Sequence, residues 1–172
     1  MYSLHPLSVA DRLAFRDLRR LALLTNPEEF MMTAREEAAV PRLAIEAALE
    51  QPDPCHLFLG AFVGETSQLI GIAGLLRGGC QKTQHCGHLT SVYVHPEYRG
   101  RGIARQLLEQ LLRQATEGDL RAVRLEVVAN NAVAIALYEK LGFVSYGCEP
   151  AAYRLDGREW DLWLMTRDCT AA

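Results

Sequence analysis

The segment Val92-Tyr93-Val94-His95-Pro96-Glu97-Tyr98-Arg99-Gly100-Arg101-Gly102-Ile103-Ala104 constrains this chain more than any other. A strand-like run ends, two glycines make a tight turn, and an apolar series with helical spacing begins at once. Ile103, Leu107, Leu108, Leu111, Leu112 and Ala115 fall on one stripe, so the spacing predicts an amphipathic helix over 103–116, capped by Gly118. The first turn of such a helix has free N–H groups and a partial positive charge. Glycines let backbone approach an anion closely. Arg99, Arg101 and Arg105 add positive charge, and no acid lies between 99 and 105. The turn therefore reads as a diphosphate site. The dinucleotide fingerprint would need glycine at 105, where arginine stands, and a P-loop would need Gly-Lys-Ser/Thr.

The remaining pattern supplies a sheet for this turn. A short strand is expected from Tyr2 to Leu7. Ser8 and Asp11 form a helix-start signal. Val9, Leu13, Leu18, Leu21 and Leu24 follow helical spacing until Asn26-Pro27 stops them. Thr33 and Glu36 repeat the start signal for a short helical region to about Gln51, broken near Pro41, and a loop follows over 51–54. Leu57 to Val63, Leu69 to Leu76 and His88 to Val94 read as strands, the first pair joined by a turn over 64–67. Val123, Leu125 and Val127 mark another strand, Ala132 to Leu141 a helix closed by Gly142, and Phe143 to Gly147 a strand. Asp156-Gly157 signals a hairpin between Tyr153-Arg154-Leu155 and Trp160 to Met165. This order predicts a mixed α/β sheet with antiparallel hairpins and at least one parallel pairing through a crossover helix.

At 172 residues, 49% hydrophobic and 23% charged, the chain fits one soluble domain over 1–172. A net charge of -3 does not suggest nucleic-acid binding. The start shows no signal-peptide pattern and no apolar run is long enough to span a bilayer. Five cysteines at irregular spacing do not suggest a disulfide framework, so a cytoplasmic location is expected.

Two ordered motifs carry a resemblance. Arg99-Gly100-Arg101-Gly102-Ile103-Ala104 fits an Arg/Gln-x-x-Gly-x-Gly/Ala pattern, and Asn131 to Phe143 fits Asn-x-x-Ala-x-x-Leu-Tyr-x-x-x-Gly-Phe. With the strand Leu89 to Val94 just before the first motif, the chain resembles the GCN5-related N-acetyltransferase (GNAT) superfamily. The likeness covers residues 88 to 147 well, the strands upstream more loosely, and the first 55 residues in outline.

The resemblance implies the GNAT fold: a mostly antiparallel mixed sheet of six to seven strands, about four helices, and a splay at the coenzyme site, with a coenzyme-binding core over about 57–147. It implies an N-acetyltransferase passing acetyl from acetyl-CoA to a primary amine of a small molecule or a protein, by direct attack in a ternary complex. A non-catalytic acyl-CoA-binding or regulatory module on the same fold is the alternative. Val92, Tyr93 and Val94 would pair with the pantetheine arm, and an N–H near Val92 would stabilise the oxyanion. The turn Arg99, Gly100, Arg101, Gly102, Ile103 and Ala104 would hold the diphosphate, and Asn131 and Ala134 would line the coenzyme further along. Tyr138 matches the family's general acid, which protonates the leaving thiolate. His88 occupies the position of a general base, with Glu126 the substitute and Tyr93 or Ser91 weaker options.

The resemblance implies neither a metal nor a membrane, and a homodimer is common among relatives. Cys80, His85, Cys86 and His88 lie close together, but their spacing fits no standard zinc site. Lys82 and His85 read as a solvated turn or as lining of the site's mouth. Trp160 and Trp163 read as core. The resemblance puts the N-terminal helices and the late hairpin on the acceptor side, so Glu28, Glu29, Glu36, Glu37 and Asp53 read as a solvated acidic face or as an acidic rim that steers a cationic amine. The acceptor amine, the acyl-chain preference and the oligomeric state are not legible.

Overall fold

A computed structural model of the chain describes residues 1–50, 53, 55–64 and 68–170. Most of the expected 51–54 loop and 64–67 turn therefore lies outside the described residues. Among these residues there are seven strands: β1 (Tyr2–Pro6), β2 (His56–Val63), β3 (Gln68–Arg77), β4 (Cys86–Val94), β5 (Ala122–Val128), β6 (Val144–Leu155) and β7 (Arg158–Asp168). They form one sheet in the order β1-β2-β3-β4-β5-β7-β6. Every neighbouring pair is antiparallel except β4 and β5, which run parallel. Helix α4 (Ile103–Glu117) makes the crossover between that pair.

The helices are α1 (Arg12–Thr25), α2 (Ala34–Ala38), α3 (Ala44–Glu50), α4 and α5 (Ala132–Lys140). There is one more than expected, because the region after Thr33 divides around Pro41. Strands β2 and β3 are apolar almost throughout because both their faces are covered. Leu57, Leu59 and Ala61 pack in one core with Leu107, Leu108 and Leu111 of α4. Phe58 and Phe62 pack in the other core with Phe15, Leu18 and Ala22 of α1. Strict alternation along β2 thus divides its side chains between two helical layers. Each such buried side chain contributes about 2 kcal/mol.

Only part of the stripe expected on α1 is buried. Leu18 is in the core with Phe15, Ala22 and Leu23, and Leu21 packs against it, while Val9, Leu13 and Leu24 are exposed. Phe15 sets the rotation by packing edge-on against Phe58, with ring centroids 5.8 Å apart. The arginines beside it fix the same rotation: Arg16 donates to Glu46 from Nε at 2.9 Å and from Nη2 at 3.0 Å, and Arg19 donates to Glu37 at 3.0 Å.

The cap expected at Gly118 is present, but not through a left-handed glycine. Gly118 ends α4 with φ -92°, and the left-handed residue is Asp119, with φ 60°. Glycine is needed at 118 for room: a Cβ there would collide with Cys55 Sγ. Trp163 is not core; it is exposed on β7, opposite the edge strand β6, which no helix covers. Trp160 is half-buried, with Arg158 over its ring at 5.2 Å. The strand predicted over 143–147 is longer, running to Leu155 and returning through Asp156 and Gly157, both with positive φ, as β7.

β4 and β5 pair only at Cys86↔Ala122, Gly87↔Val123 and His88↔Arg124. Beyond His88 they part. On its other edge β4 slips against β3, where Ile72↔Tyr93 is followed by Gly74↔Thr90. The extra residue falls at Ser91 and Val92, and Ser91 takes φ 55°, a left-handed conformation that costs a serine about 1 kcal/mol. Such a bulge bends the strand and sharpens its twist.

Candidate active site

The parting of β4 and β5 opens a cleft of about 800 Å³. Its floor is the unpaired edge of β4, one wall is the start of α4, another is α5, and the mouth is bounded by the segment after α1. Of the residues singled out from sequence, His88, Val92, Tyr93, Val94, Arg99, Gly100, Gly102, Ile103, Ala104, Asn131, Ala134 and Tyr138 line it. Arg101 does not.

At one end lies the glycine turn. Gly100 has φ 74° and Gly102, the N-cap of α4, has φ 77°. Both angles suit glycine and disfavour any other residue. A Cβ at either position would meet nothing within 4 Å, so the turn is open on its outer side. Among the described residues, the main-chain N–H groups from Gly100 to Arg105 have no backbone acceptor. Bonding resumes with Gln106 N–H to Gly102 O at 3.0 Å. A run of unsatisfied amides at a helix N-terminus is an anion cradle.

The three arginines beside the turn are each held by a partner. Arg99 donates from Nε to Val94 O at 3.0 Å and from Nη2 to Asn26 Oδ1 at 2.9 Å. Arg101 donates to Glu97 O at 3.2 Å and lies over the Tyr98 ring. Arg105 pairs with Glu109 at 2.8 Å. Of the three, Arg105 alone meets a carboxylate; Arg99 and Arg101 bond neutral oxygens and keep their charge beside the cradle.

At the other end is Tyr138. Asn131 caps α5 by accepting from Ala134 N–H at 3.1 Å, and this fixes the helix that presents the tyrosine. Tyr138 is 7% exposed, and its ring meets Phe143 edge-on at 5.9 Å. Burial, and then the charge of Glu29, push the phenol well above its ordinary range. No hydrogen bond contributes to that shift. The hydroxyl is a proton donor that does not ionise near neutral pH.

Between the two ends, His88 Nε2 lies 3.3 Å from a Glu126 carboxylate oxygen. The hydrogen bond from His88 holds Glu126 below the usual carboxylate range, although partial burial opposes this. The two residues weighed as alternatives therefore stand as one pair. Tyr93 is 4% exposed, with its hydroxyl 2.8 Å from Thr25 Oγ1. Ser91 sits in the bulge, 3.5 Å from Arg19 Nη1. Lys82 and His85 lie exposed in the turn before β4, away from the cleft.

A family model described as Acetyltransferase (GNAT) family matches residues 15–143. The chain belongs to this family. It is 38% identical over 120 residues to the N-alpha-acetyltransferase RimI of Mycobacterium tuberculosis, covering 69% of this chain and 70% of that one. It is 37% identical over 129 residues to an uncharacterized protein of Mycobacterium leprae, covering 74% of this chain but only 33% of the longer relative. Among solved structures, its fold is similar to that of a GNAT superfamily phosphinothricin acetyltransferase from Sinorhizobium meliloti in complex with acetyl-CoA. The TM-score is 0.77, with 23% identity, covering 97% of this chain and 88% of that one.

Several residues of this GNAT cleft were not legible beforehand. Arg19, Asn26, Glu29, Phe30, Met31 and Met32 line its mouth from the N-terminal segment, and Tyr153 lines it from β6. Two of the acids read as solvated are not: Glu37 is buried against Arg19, and Glu29 is half-buried in the cleft wall. Burial raises the Glu29 carboxyl, and a hydrogen bond from Asn26 partly offsets this. The helix and strand periods that revealed the core carry no signal for a turn folded across a sheet edge.

Proposed function

We propose that this chain transfers an acetyl group from acetyl-CoA to a primary amine by direct attack in a ternary complex. The observation that carries this reading is one cleft with an open amide cradle at one end and, at the other, Tyr138 with its hydroxyl unbonded among the described residues. The main-chain N–H groups from Gly100 to Arg105 hold the diphosphate, that of Arg99 being taken by Pro96 O at 3.2 Å. The free edge of β4 from Val92 to Val94 pairs with the pantetheine arm, beside Asn131 and Ala134. That edge is free because β5 has left it after His88.

The amine nitrogen attacks the thioester carbonyl carbon, and a main-chain N–H near Val92 stabilises the oxyanion. The C–S bond breaks, the thiolate takes its proton from Tyr138 Oη, and the products are the amide and free coenzyme. The proton lost by the amine passes to the His88–Glu126 pair. A carboxylate accepts only, so Nε2 of His88 carries the hydrogen between them and Nδ1 is the atom able to take another.

Thiol release from acetyl-CoA, followed across a panel of amines, tests the proposal. Thiol released in step with acetylated amine supports it. Coenzyme binding with no thiol release for any amine would instead make the chain an acyl-CoA-binding module.

A further inference from the structure

We propose that Glu29 selects the acceptor: the amine taken by this site carries a second positive charge, which the Glu29 carboxylate holds while the reacting nitrogen lies at the His88–Glu126 pair. This deepens the acetyl-transfer reading and rests on it.

Of the charged groups around the mouth of the cleft, Arg19 is paired with Glu37 at 3.0 Å and lies over the Phe30 ring at 4.5 Å from its centroid. Glu126 has His88. Arg99 donates to two neutral oxygens, Val94 O and Asn26 Oδ1, and its charge acts on Glu29 only at longer range. Glu29 has no counter-ion in contact: among the described residues no Lys, Arg or His nitrogen comes within 4.0 Å of its carboxylate, and its one side-chain partner is Asn26 Nδ2 at 3.3 Å. A half-buried carboxylate with no counter-ion in contact is costly, and an incoming cation reduces that cost.

The position of Glu29 points the same way. The 3-10 turn Pro27–Glu29 folds from the end of α1 against β5, across the gap that β4 leaves open. Glu29 therefore lines the same cleft as Tyr138, close enough for its charge to act on the phenol. Tyr138 is an independent sign that this lobe takes a ligand: it is 7% exposed, lines the cleft, and among the described residues its hydroxyl has no hydrogen-bond partner. Phe30, Met31 and Met32 continue the wall beside Glu29 and suit an aliphatic stem between two cationic centres. Asn26 bonds Arg99 and Glu29 at once, so the side chain that braces the coenzyme turn also aims the selecting carboxylate.

The chemistry fits two sources, a short aliphatic diamine or a peptide N-terminus followed by a basic side chain. Steady-state transfer with matched acceptors separates them: diaminobutane against butylamine, and short peptides with lysine or norleucine after a free N-terminal alanine. Wild type is expected to favour one of the two dications over its neutral match by about tenfold in kcat/KM. Glu29→Gln is expected to abolish that preference through KM, with kcat at saturation kept within about twofold, and Glu29→Asp to retain part of it. Thermal stabilisation by acetyl-CoA, unchanged in Glu29→Gln, checks that the variant is folded and still binds coenzyme. Transfer without preference in wild type, or with the same preference in Glu29→Gln, overturns the Glu29 assignment and leaves acetyl transfer standing. No thiol release with any of the four acceptors, while acetyl-CoA still stabilises the protein, overturns the assignment and counts against the transfer reading itself.

Discussion

His88 and Glu126 meet where the sheet divides: His88 is the last β4 residue paired with β5, and its Nε2 lies 3.3 Å from the Glu126 carboxylate. The contact sets an acid–base pair at the apex of the cleft. Glu126→Gln is expected to lower kcat by roughly 100-fold. Removing the imidazole with His88→Ala removes the hydrogen bond that holds the Glu126 carboxyl low. The carboxyl then rises, so it loses its charge at a higher pH as the solution is acidified. The acid limb of the kcat/KM profile should move to higher pH in His88→Ala. An unmoved limb would mean that the pair does not carry the proton.

Tyr138→Phe removes the proton donor and leaves the ring contact with Phe143. Turnover at saturating acetyl-CoA should fall by roughly 100-fold, with the KM for coenzyme within about twofold of wild type. Burial raises the folded phenol above its unfolded value. The stability this contributes is fully present below the ordinary tyrosine value of about 10 and is lost as pH rises through the folded one. Denaturant midpoints at alkaline pH should therefore fall less in Tyr138→Phe than in wild type.

Gly102→Ala tests the anion cradle. An alanine at φ 77° costs about 1 kcal/mol in conformation, and its Cβ meets no neighbour within 4 Å, so the fold survives. Relief of that strain turns the amides of the cradle away from one another. Affinity for coenzyme should drop about tenfold or more by titration, a larger effect than the loss in stability.

Glu46 is 4% exposed and accepts from Arg16 twice and from Leu43 N–H at 2.9 Å. The Arg16 bonds, more than any other cause, hold its carboxyl below the ordinary range. Such a group contributes stability above the unfolded carboxyl value and loses it as pH falls through the folded one. Glu46→Gln should cost about 2 kcal/mol near neutral pH and make stability less sensitive to acid, as followed by denaturation across pH.

Much of this was readable in advance, for a physical reason. The six-residue stripe on α4 is buried throughout, because an amphipathic period is a property of the helix alone. The start signals at Ser8 and Thr33 both form capping boxes, and Asp156-Gly157 makes its hairpin, because each depends only on local backbone chemistry. What depends on distant partners was not readable. The face of α1 is chosen by Phe58 and by Glu37 and Glu46, all far along the chain. The exposure of Trp163 follows from a strand order in which β7 lies beside the edge. Glu29 enters the cleft only because β5 diverges from β4 and leaves an edge for the Pro27–Glu29 turn to cover.

Titration calorimetry of acetyl-CoA into the folded chain, repeated with Gly102→Ala, bears most directly on the diphosphate cradle. Saturable one-to-one association is expected, weakened by salt and weaker still in the variant. No heat of binding at millimolar acetyl-CoA, or equal affinity in both proteins, would contradict it.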